Sequence, residues 1–296
     1  MSESAHSPVD FGGLPPEMSS RAAAQVLVWP VPYEKTVSYG SGTASGPDAI
    51  IEASRNMELY DEELGKETAR IGIHTLPAAA CDLAPEPMMQ SLERQMSELV
   101  DTGKFVCVLG GEHSITPPLV RAHHRKYPRL SVLQIDAHAD LRDTYDGTPF
   151  SHACAMRRVV ETCPAVQVGI RSMSTPEALA APKLRTRLFY AKDIVGRTGW
   201  IDQVVASLSE EVYLTFDVDG LCPSIIPTTG TPEPGGLLWY ETLELLRTVA
   251  RSRKIVGMDF VELSGNTDNH APAFATAKLI YRTIGYIFEK QLPPLA

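Results

Sequence analysis

The sequence predicts an α/β protein: a single-domain, three-layer α-β-α sandwich around a mostly parallel, eight-stranded sheet. Strand-like runs alternate with helix-like ones along the whole chain, which requires helical crossovers and a parallel sheet. Several runs, such as Phe105-Val106-Cys107-Val108-Leu109, are almost wholly apolar, as strands covered on both faces must be. Residues able to bind metal cluster after only a few of these runs. That favours an open sheet over a closed barrel, because ligands bind open sheets outside the carboxyl ends of their strands.

Strands are expected at 25–30 (QVLVWP), 70–75, 105–110, 131–136, 166–170 (VQVGI), 187–191, 211–217 and 254–260 (KIVGMDF). Helical spacing of apolar residues is found near 46–60, 86–103, 115–126, 152–161, 174–183, 196–208 and 240–250, with a longer stretch near 271–290. No internal repeat, low-complexity tract or linker divides the chain. Residues 1–20 (MSESAHSPVDFGGLPPEMSS), rich in Ser, Pro and Gly, are expected to form a loose arm, and residues 21–296 one folded domain.

The most informative stretch is QIDAHADLRD at 134–143. It follows an apolar run and places Asp136, His138 and Asp140 at every second position. On extended backbone these three share one face. Two carboxylates on one face repel unless a cation lies between them, and Asp, His and Asp suit a borderline-to-hard divalent ion. The run 211–216 ends in DVDG, where Asp217 and Asp219 share a face by the same rule. The run 105–109 ends in GGEHS, which supplies His113. His113, Asp136, His138, Asp140, Asp217 and Asp219 are too many ligands for one four-coordinate ion. With bridging carboxylates they fit the two-metal arrangement of hydrolytic sites.

Composition sets the outer bounds. The chain has 296 residues, 44% hydrophobic and 21% charged, enough for one large α/β domain. A formal net charge of −9 argues against nucleic acid or an anionic membrane as a partner. Five scattered cysteines without a C-x-x-C pair suggest reduced thiols and a cytoplasmic location. No apolar run approaches the ~20 residues of a membrane span, and the N-terminus lacks the pattern of a signal peptide.

GGEHS (110–114), DAHADLRD (136–143), SHACAMRR (151–158), FDVDGLCPSIIPTTGTPEPGG (216–236) and DFVEL (259–263) together resemble the ureohydrolases, the family of arginase, agmatinase and guanidinobutyrase. SRNMELYDEELG (54–65) and HAPAFATAKLIYRTIGYI (270–287) resemble its agmatinase branch, particularly archaeal-type members. The likeness runs from about residue 25 to the C-terminus. It implies an arginase-like fold and hydrolysis of a guanidinium group to urea and an amine with two Mn2+ ions per subunit. It also implies that His113, Asp136, Asp140 and Asp217 hold one ion and Asp136, His138, Asp217 and Asp219 the other, with Asp136 and Asp217 bridging. His152 corresponds to a mobile-loop histidine that shuttles protons, and Glu262 to the glutamate that pairs with the substrate guanidinium. The family further implies a homo-oligomer, trimer or hexamer, acting on a small cationic guanidino compound.

The chemistry is consistent with the residues. A guanidinium resists neutral water, and two cations lower the pKa of a shared water. Glu262 can hold a planar guanidinium through charge-assisted hydrogen bonds. Asp140 or His152 can move the proton that the departing amine needs. Thr231 could reach the guanidinium through its hydroxyl, and Asp146 could meet the distal amine of a diamine-like substrate. Agmatine is the leading substrate, giving putrescine and so polyamine biosynthesis. Aminopropylagmatine, guanidinobutyrate or another guanidino compound would use the same chemistry. An inactive metal-binding relative is the reading from a different class.

Two departures from the family stand out. Many bacterial agmatinases read SHGTMF where this chain has Ser151–Met156 (SHACAM). The usual GLDP is here Gly220-Leu221-Cys222-Pro223, which removes a carboxylate and is expected to loosen the turn after Asp219 slightly. Other features take structural readings. His123 and His124 belong to a solvated basic helix face with Arg121, Arg125 and Lys126. His74 is structural, and His270 serves capping or a subunit contact. A Cys154–His152 nucleophile lacks an orienting partner.

Overall fold

A computed structural model describes residues 10–265 and 268–294. A short helix α1 (Pro16–Ser19) leads into β1 (Val26–Val31), then α2 (Gly46–Ser54), a two-stranded hairpin of β2 (Tyr60–Asp61) and β3 (Lys66–Glu67), and β4 (Ile73–Thr75). There follow α3 (Pro85–Asp101), β5 (Phe105–Gly110), α4 (Thr116–Lys126), β6 (Ser131–Ile135), α5 (Ala155–Thr162), β7 (Ala165–Ile170), α6 (Thr175–Ala180) and β8 (Thr186–Tyr190). The chain ends with α7 (Ala191–Ile194), α8 (Trp200–Ser207), β9 (Glu211–Asp217), α9 (Trp239–Ser252), β10 (Lys254–Val261) and α10 (Ala271–Phe288).

The main sheet has eight strands in the order β4-β1-β5-β10-β9-β6-β7-β8, all paired in parallel. Alternate residues of each strand enter two separate cores. Phe105, Cys107 and Leu109 of β5 pack with α2, α8, α9 and α10, while Val106 and Val108 pack with α3, α4 and α5. Period-two alternation between two apolar faces is why these strands read as continuous apolar runs. The result is the three-layer sandwich expected from the sequence.

The differences from expectation have local causes. α8 begins at Trp200 rather than near 196, because Gly196 and Gly199 have φ of 68° and 79°, outside the right-handed helical region. α2 stops at Ser54, and the segment after it forms the β2–β3 hairpin, whose short strands carry little periodic signal. β4 is shortened to Ile73–Thr75 by a 3-10 turn over Thr68–Ile71.

Residues 10–20 are not a loose arm. Phe11 is fully buried in the core, its N–H donates to Thr75 Oγ1 (2.8 Å), and His74 Nδ1 meets Ser19 O (2.7 Å). Residues 1–9 lie outside the described residues. His123 is not solvated either. It sits in α4 at helical spacing from Leu119 and Val120 and is 1% exposed. Its Nδ1 contacts Leu119 O (2.8 Å), and its ring packs at 4.8 Å from that of Tyr213. Gly257 makes room for it, since a Cβ there would lie 2.3 Å from His123 Nε2. Burial holds the His123 imidazole down at about 4. His124, Arg125 and Lys126 carry the solvated face without it.

Phe11→Ala should lower the unfolding free energy by about 3–5 kcal/mol, the usual cost of truncating a buried aromatic. Urea denaturation measures this, and an unchanged midpoint would mean that the segment is detached from the core.

Candidate metal centre and its cleft

Every expected metal ligand lies at the carboxyl end of a central strand. β5, β10, β9 and β6 are neighbours in the sheet. His113 follows β5, Asp136, His138 and Asp140 follow β6, Asp217 ends β9 with Asp219 just beyond, and Glu262 follows β10. Residues more than a hundred positions apart thus meet at one sheet edge.

They form two sets. His113, Asp136 and Asp140 can each offer one ligand atom within 4.8 Å of the others, and so can Asp136, His138 and Asp219. Asp136 belongs to both. His113 Nδ1 lies 3.2 Å from Asp136 Oδ2, 3.1 Å from Asp140 Oδ2 and 3.4 Å from Asp217 Oδ2. His138 Nδ1 lies 2.9 Å from Asp219 Oδ2 and 3.7 Å from Asp136 Oδ1. Asp217 Oδ1 accepts the Asp219 N–H (3.0 Å), which leaves Oδ2 facing His113.

These residues fit a cation. His113 Nδ1 is buried and has no hydrogen-bond partner among the described residues, although three carboxylates surround it. Its other nitrogen, Nε2, lies 2.9 Å from Thr215 Oγ1, and that hydroxyl donates to the buried Asp259 (2.6 Å). Nε2 is therefore the donor, and Nδ1 keeps its lone pair for a ligand. Asp259 also accepts hydrogen bonds from Tyr213 (2.9 Å) and Thr116 (3.1 Å). Neither Thr215 nor Asp259 was singled out in the sequence. The period-two pattern that found Asp217 and Asp219 also puts Thr215 on their face, two residues before Asp217.

The electrostatics agree with the geometry. Burial, then the fields of Asp219 and Asp140, push the Asp136 carboxyl up to about 7. Burial and the neighbouring Asp219 and Asp136 likewise raise Asp217. Burial opposes charge on His138, but its hydrogen bond to Asp219 and the surrounding aspartates outweigh that and hold it near 11. Without cations the cluster therefore holds protons that cations would displace.

Glu262 sits beside this cluster. Its Oε1 accepts the His113 N–H (2.7 Å), and burial, followed by the nearby Glu112, raises its carboxyl to about 8. Glu262 and Asp140 have left-handed backbone, with φ of 67° and 52°. Such conformations in residues other than glycine cost free energy and collect where side chains must be aimed.

A cleft of about 250 Å³ opens over the cluster, lined in part by Asp140, His152, Asp217, Asp219, Thr231 and Glu262. Thr231 Oγ1 is 3.4 Å from His138 Nε2. Asp146 is not among the lining residues. It is exposed and, with φ of 48° beside Gly147 at 79°, makes a tight turn closed by Tyr145 and Thr148. The structure thus leaves Asp146 as a turn residue; its neighbour Tyr145 lines the cleft instead. Cys154 is buried, and burial and then Asp140 raise its thiol to about 11, which does not make a nucleophile. The turn after Asp219, which carries Cys222, is held by contacts from outside it. The Arg171 guanidinium donates to the carbonyls of Asp219 (2.6 Å), Leu221 (3.2 Å) and Glu233 (3.1 Å), and Cys222 N–H donates to Leu237 O (2.9 Å).

Asp136→Ala should abolish binding of two ions per chain, because it removes a ligand from both sets; metal analysis of the dialysed protein measures this. In the unaltered protein, metal uptake should release protons, and its apparent affinity should fall as pH drops through about 7, where Asp136 takes up its proton. Calorimetric titration in buffers of different ionisation enthalpy reads both effects.

Comparison with known proteins places this site in context. The model of the Arginase family matches residues 24–285. An N(1)-aminopropylagmatine ureohydrolase of Synechocystis is 39% identical, covering 97% of this chain and 98% of that protein. One from Thermus thermophilus is 40% identical over 88% and 90%, and an agmatinase of Pyrococcus horikoshii is 33% identical over 88% and 92%. Among solved structures, the agmatine ureohydrolase of Thermoplasma volcanium superimposes with a TM-score of 0.83 at 30% identity, covering 91% of this chain and 92% of that one. With a matching model over most of its length and relatives of this similarity, the chain belongs to the arginase family as a ureohydrolase.

Proposed function

We propose that this protein is a binuclear manganese hydrolase that releases urea from the guanidinium end of an agmatine-type amine, with N(1)-aminopropylagmatine as the preferred substrate. The observation that carries the chemistry is the paired ligand set sharing Asp136, with Glu262 beside it under an acidic cleft. The tail preference is supported by relatives bearing that name at 39–40% identity, against 33% for the Pyrococcus agmatinase. Agmatine, favoured by the sequence motifs, is the second reading. It yields putrescine where the longer substrate yields the corresponding triamine, so either places the enzyme in polyamine synthesis.

His113, Asp136, Asp140 and Asp217 would hold one ion and Asp136, His138, Asp217 and Asp219 the other, with Asp217 as the second bridge. One imidazole and several carboxylate oxygens per ion suit Mn2+ by ligand type. When bound, the ions supply an ionised water nucleophile at neutral pH and stabilise developing negative charge. Glu262 binds the guanidinium with the lone pairs left by its bond to the His113 N–H, and so sets the carbon over the ligand cluster. Thr231 adds a hydroxyl at the same end of the cleft. As water adds to the guanidinium carbon, Asp140 accepts a proton. His152 or Asp140 then donates a proton to the alkylamine nitrogen, so that the C–N bond breaks to give urea and a free amine, which takes a further proton from solvent. The cytoplasm, with reduced cysteines, and a trimeric or hexameric assembly complete the reading.

Urea release from the Mn2+-loaded protein across agmatine, aminopropylagmatine, guanidinobutyrate, arginine and guanidine tests it. The highest kcat/KM is expected for aminopropylagmatine. A metal-replete protein that releases urea from none of them would overturn the proposal. Glu262→Gln should lower kcat/KM by about 10²–10³-fold, the scale of losing one preorganised electrostatic contact, with two ions still bound.

A further inference from the structure

His152 reaches the cleft from a loop held by more than its own sequence. Its backbone N–H donates to Thr36 Oγ1 (3.0 Å), and its Nδ1 lies 3.4 Å from the same oxygen and 3.3 Å from Ser151 Oγ. Thr36 is held in turn by Glu112, a fully buried carboxylate. Glu112 Oε1 accepts from Thr36 Oγ1 (2.6 Å) and Ser114 Oγ (2.5 Å), and Oε2 accepts the N–H groups of Lys35 and Thr36 (2.7 Å each). The loops carrying Glu112 and Thr36 dock closely: Glu112 N–H donates to Tyr33 O (2.9 Å), and a Cβ on Gly111 would lie 2.0 Å from that oxygen.

We propose that Thr36, anchored by Glu112, is a positioning residue that holds His152 in the tautomer with the proton on Nδ1 and a bare Nε2. The argument is one of donors and acceptors. Glu112 has four donors aimed at it and acts as an acceptor throughout. The single proton of Thr36 Oγ1 is committed to Glu112 Oε1, so this oxygen can only accept from His152. It accepts the backbone N–H, and toward Nδ1 it is compatible only with an Nδ1–H donor. The Ser151 hydroxyl can rotate to accept as well. Nε2 makes no hydrogen bond to any described residue. It is therefore the nitrogen left to carry the proton that His152 donates to the alkylamine nitrogen in the proposed function, on which this inference rests for its catalytic meaning. The opposite tautomer would set the Nδ1 lone pair against the Thr36 oxygen.

Nitrogen-15 NMR of histidine-labelled, metal-free protein at a pH where His152 is neutral reads the tautomer directly, with His152→Asn assigning the signal. Protonated Nδ1 and bare Nε2 are expected, and the reverse tautomer would overturn the proposal whatever the substrate proves to be. In kinetics, Thr36→Val should lower kcat by ~tenfold or more, part of what a positioned proton-transfer group contributes, with KM within about twofold and two ions bound. Thr36→Ser, which keeps the oxygen, should restore both kcat and the tautomer. An unchanged kcat in Thr36→Val, or a Thr36→Ser variant as slow as Thr36→Val, would equally overturn it. Should Thr36→Val fail to fold, the tautomer of the unaltered protein and of Thr36→Ser still decide. Absence of urea release with the expected tautomer present would instead count against the proposed function alone.

Discussion

The arrangement depends on one electrostatic constraint: buried carboxylates crowded around two imidazoles at the ends of four adjacent parallel strands. Asp136, Asp140, Asp217, Asp219 and Glu262 are all less than 9% exposed. Like charges this close in a poorly solvated place cannot all be ionised without compensation. Burial and then the fields of neighbouring carboxylates lift Asp136 and Glu262 far above the usual carboxylate range, so the cluster is compensated in part by protons. Divalent cations are the other compensation. The buried Nδ1 of His113, surrounded by carboxylates and without a hydrogen bond to any described residue, marks where one of them would sit.

The rest of the fold keeps that cluster from relaxing. Two apolar cores clamp the sheet from both faces, so the strand ends cannot spread apart to relieve the repulsion. Backbone contacts then fasten the loops to one another. Glu262 N–H donates to Gly111 O (2.8 Å), Arg157 N–H to Asp140 O (2.9 Å) and Arg142 N–H to Ala153 O (3.2 Å). These ties hold Asp140 and Glu262 in left-handed conformations that neither residue prefers. Other contacts, Glu112 N–H to Tyr33 O and His152 N–H to Thr36 Oγ1, bring the loop after β1 against the segment that carries His152, so a residue near position 36 bears on a site built from positions 113 to 262. Arg171 does similar work around the turn after Asp219: its guanidinium donates to six backbone carbonyls there and in the neighbouring loops, where a cysteine replaces the family's aspartate.

Much of this was legible in the sequence for a physical reason. A strand buried on both faces must be apolar along its length, and the side-chain period of two is short enough to read in three residues. That is why β5, β6 and β9 could be located and why Asp136, His138, Asp140, Asp217 and Asp219 could be assigned to shared faces. His123 was misread because its charged neighbours at 121, 125 and 126 masked the helical spacing that ties it to Leu119 and Val120. Phe11 was misread because the loop-forming residues around it say nothing about what its ring meets. Asp146 shows what residue type leaves open, since a carboxylate near a site in sequence need not point into it when the following glycine makes the pair a turn.

The sequence by itself determined the layer architecture, the ligand types and the chemistry they suit, because each rests on local periodicity and on the nature of side chains. Only the tertiary structure decided which oxygens face which nitrogens. It decided that Asp136 turns one carboxylate oxygen toward each imidazole, that Thr215 and Asp259 orient His113, and that Glu112 holds Thr36 against His152. Those relations join residues far apart in the chain through single hydrogen bonds, and a hydrogen bond of ~3 Å with a directional donor leaves no periodic trace in sequence.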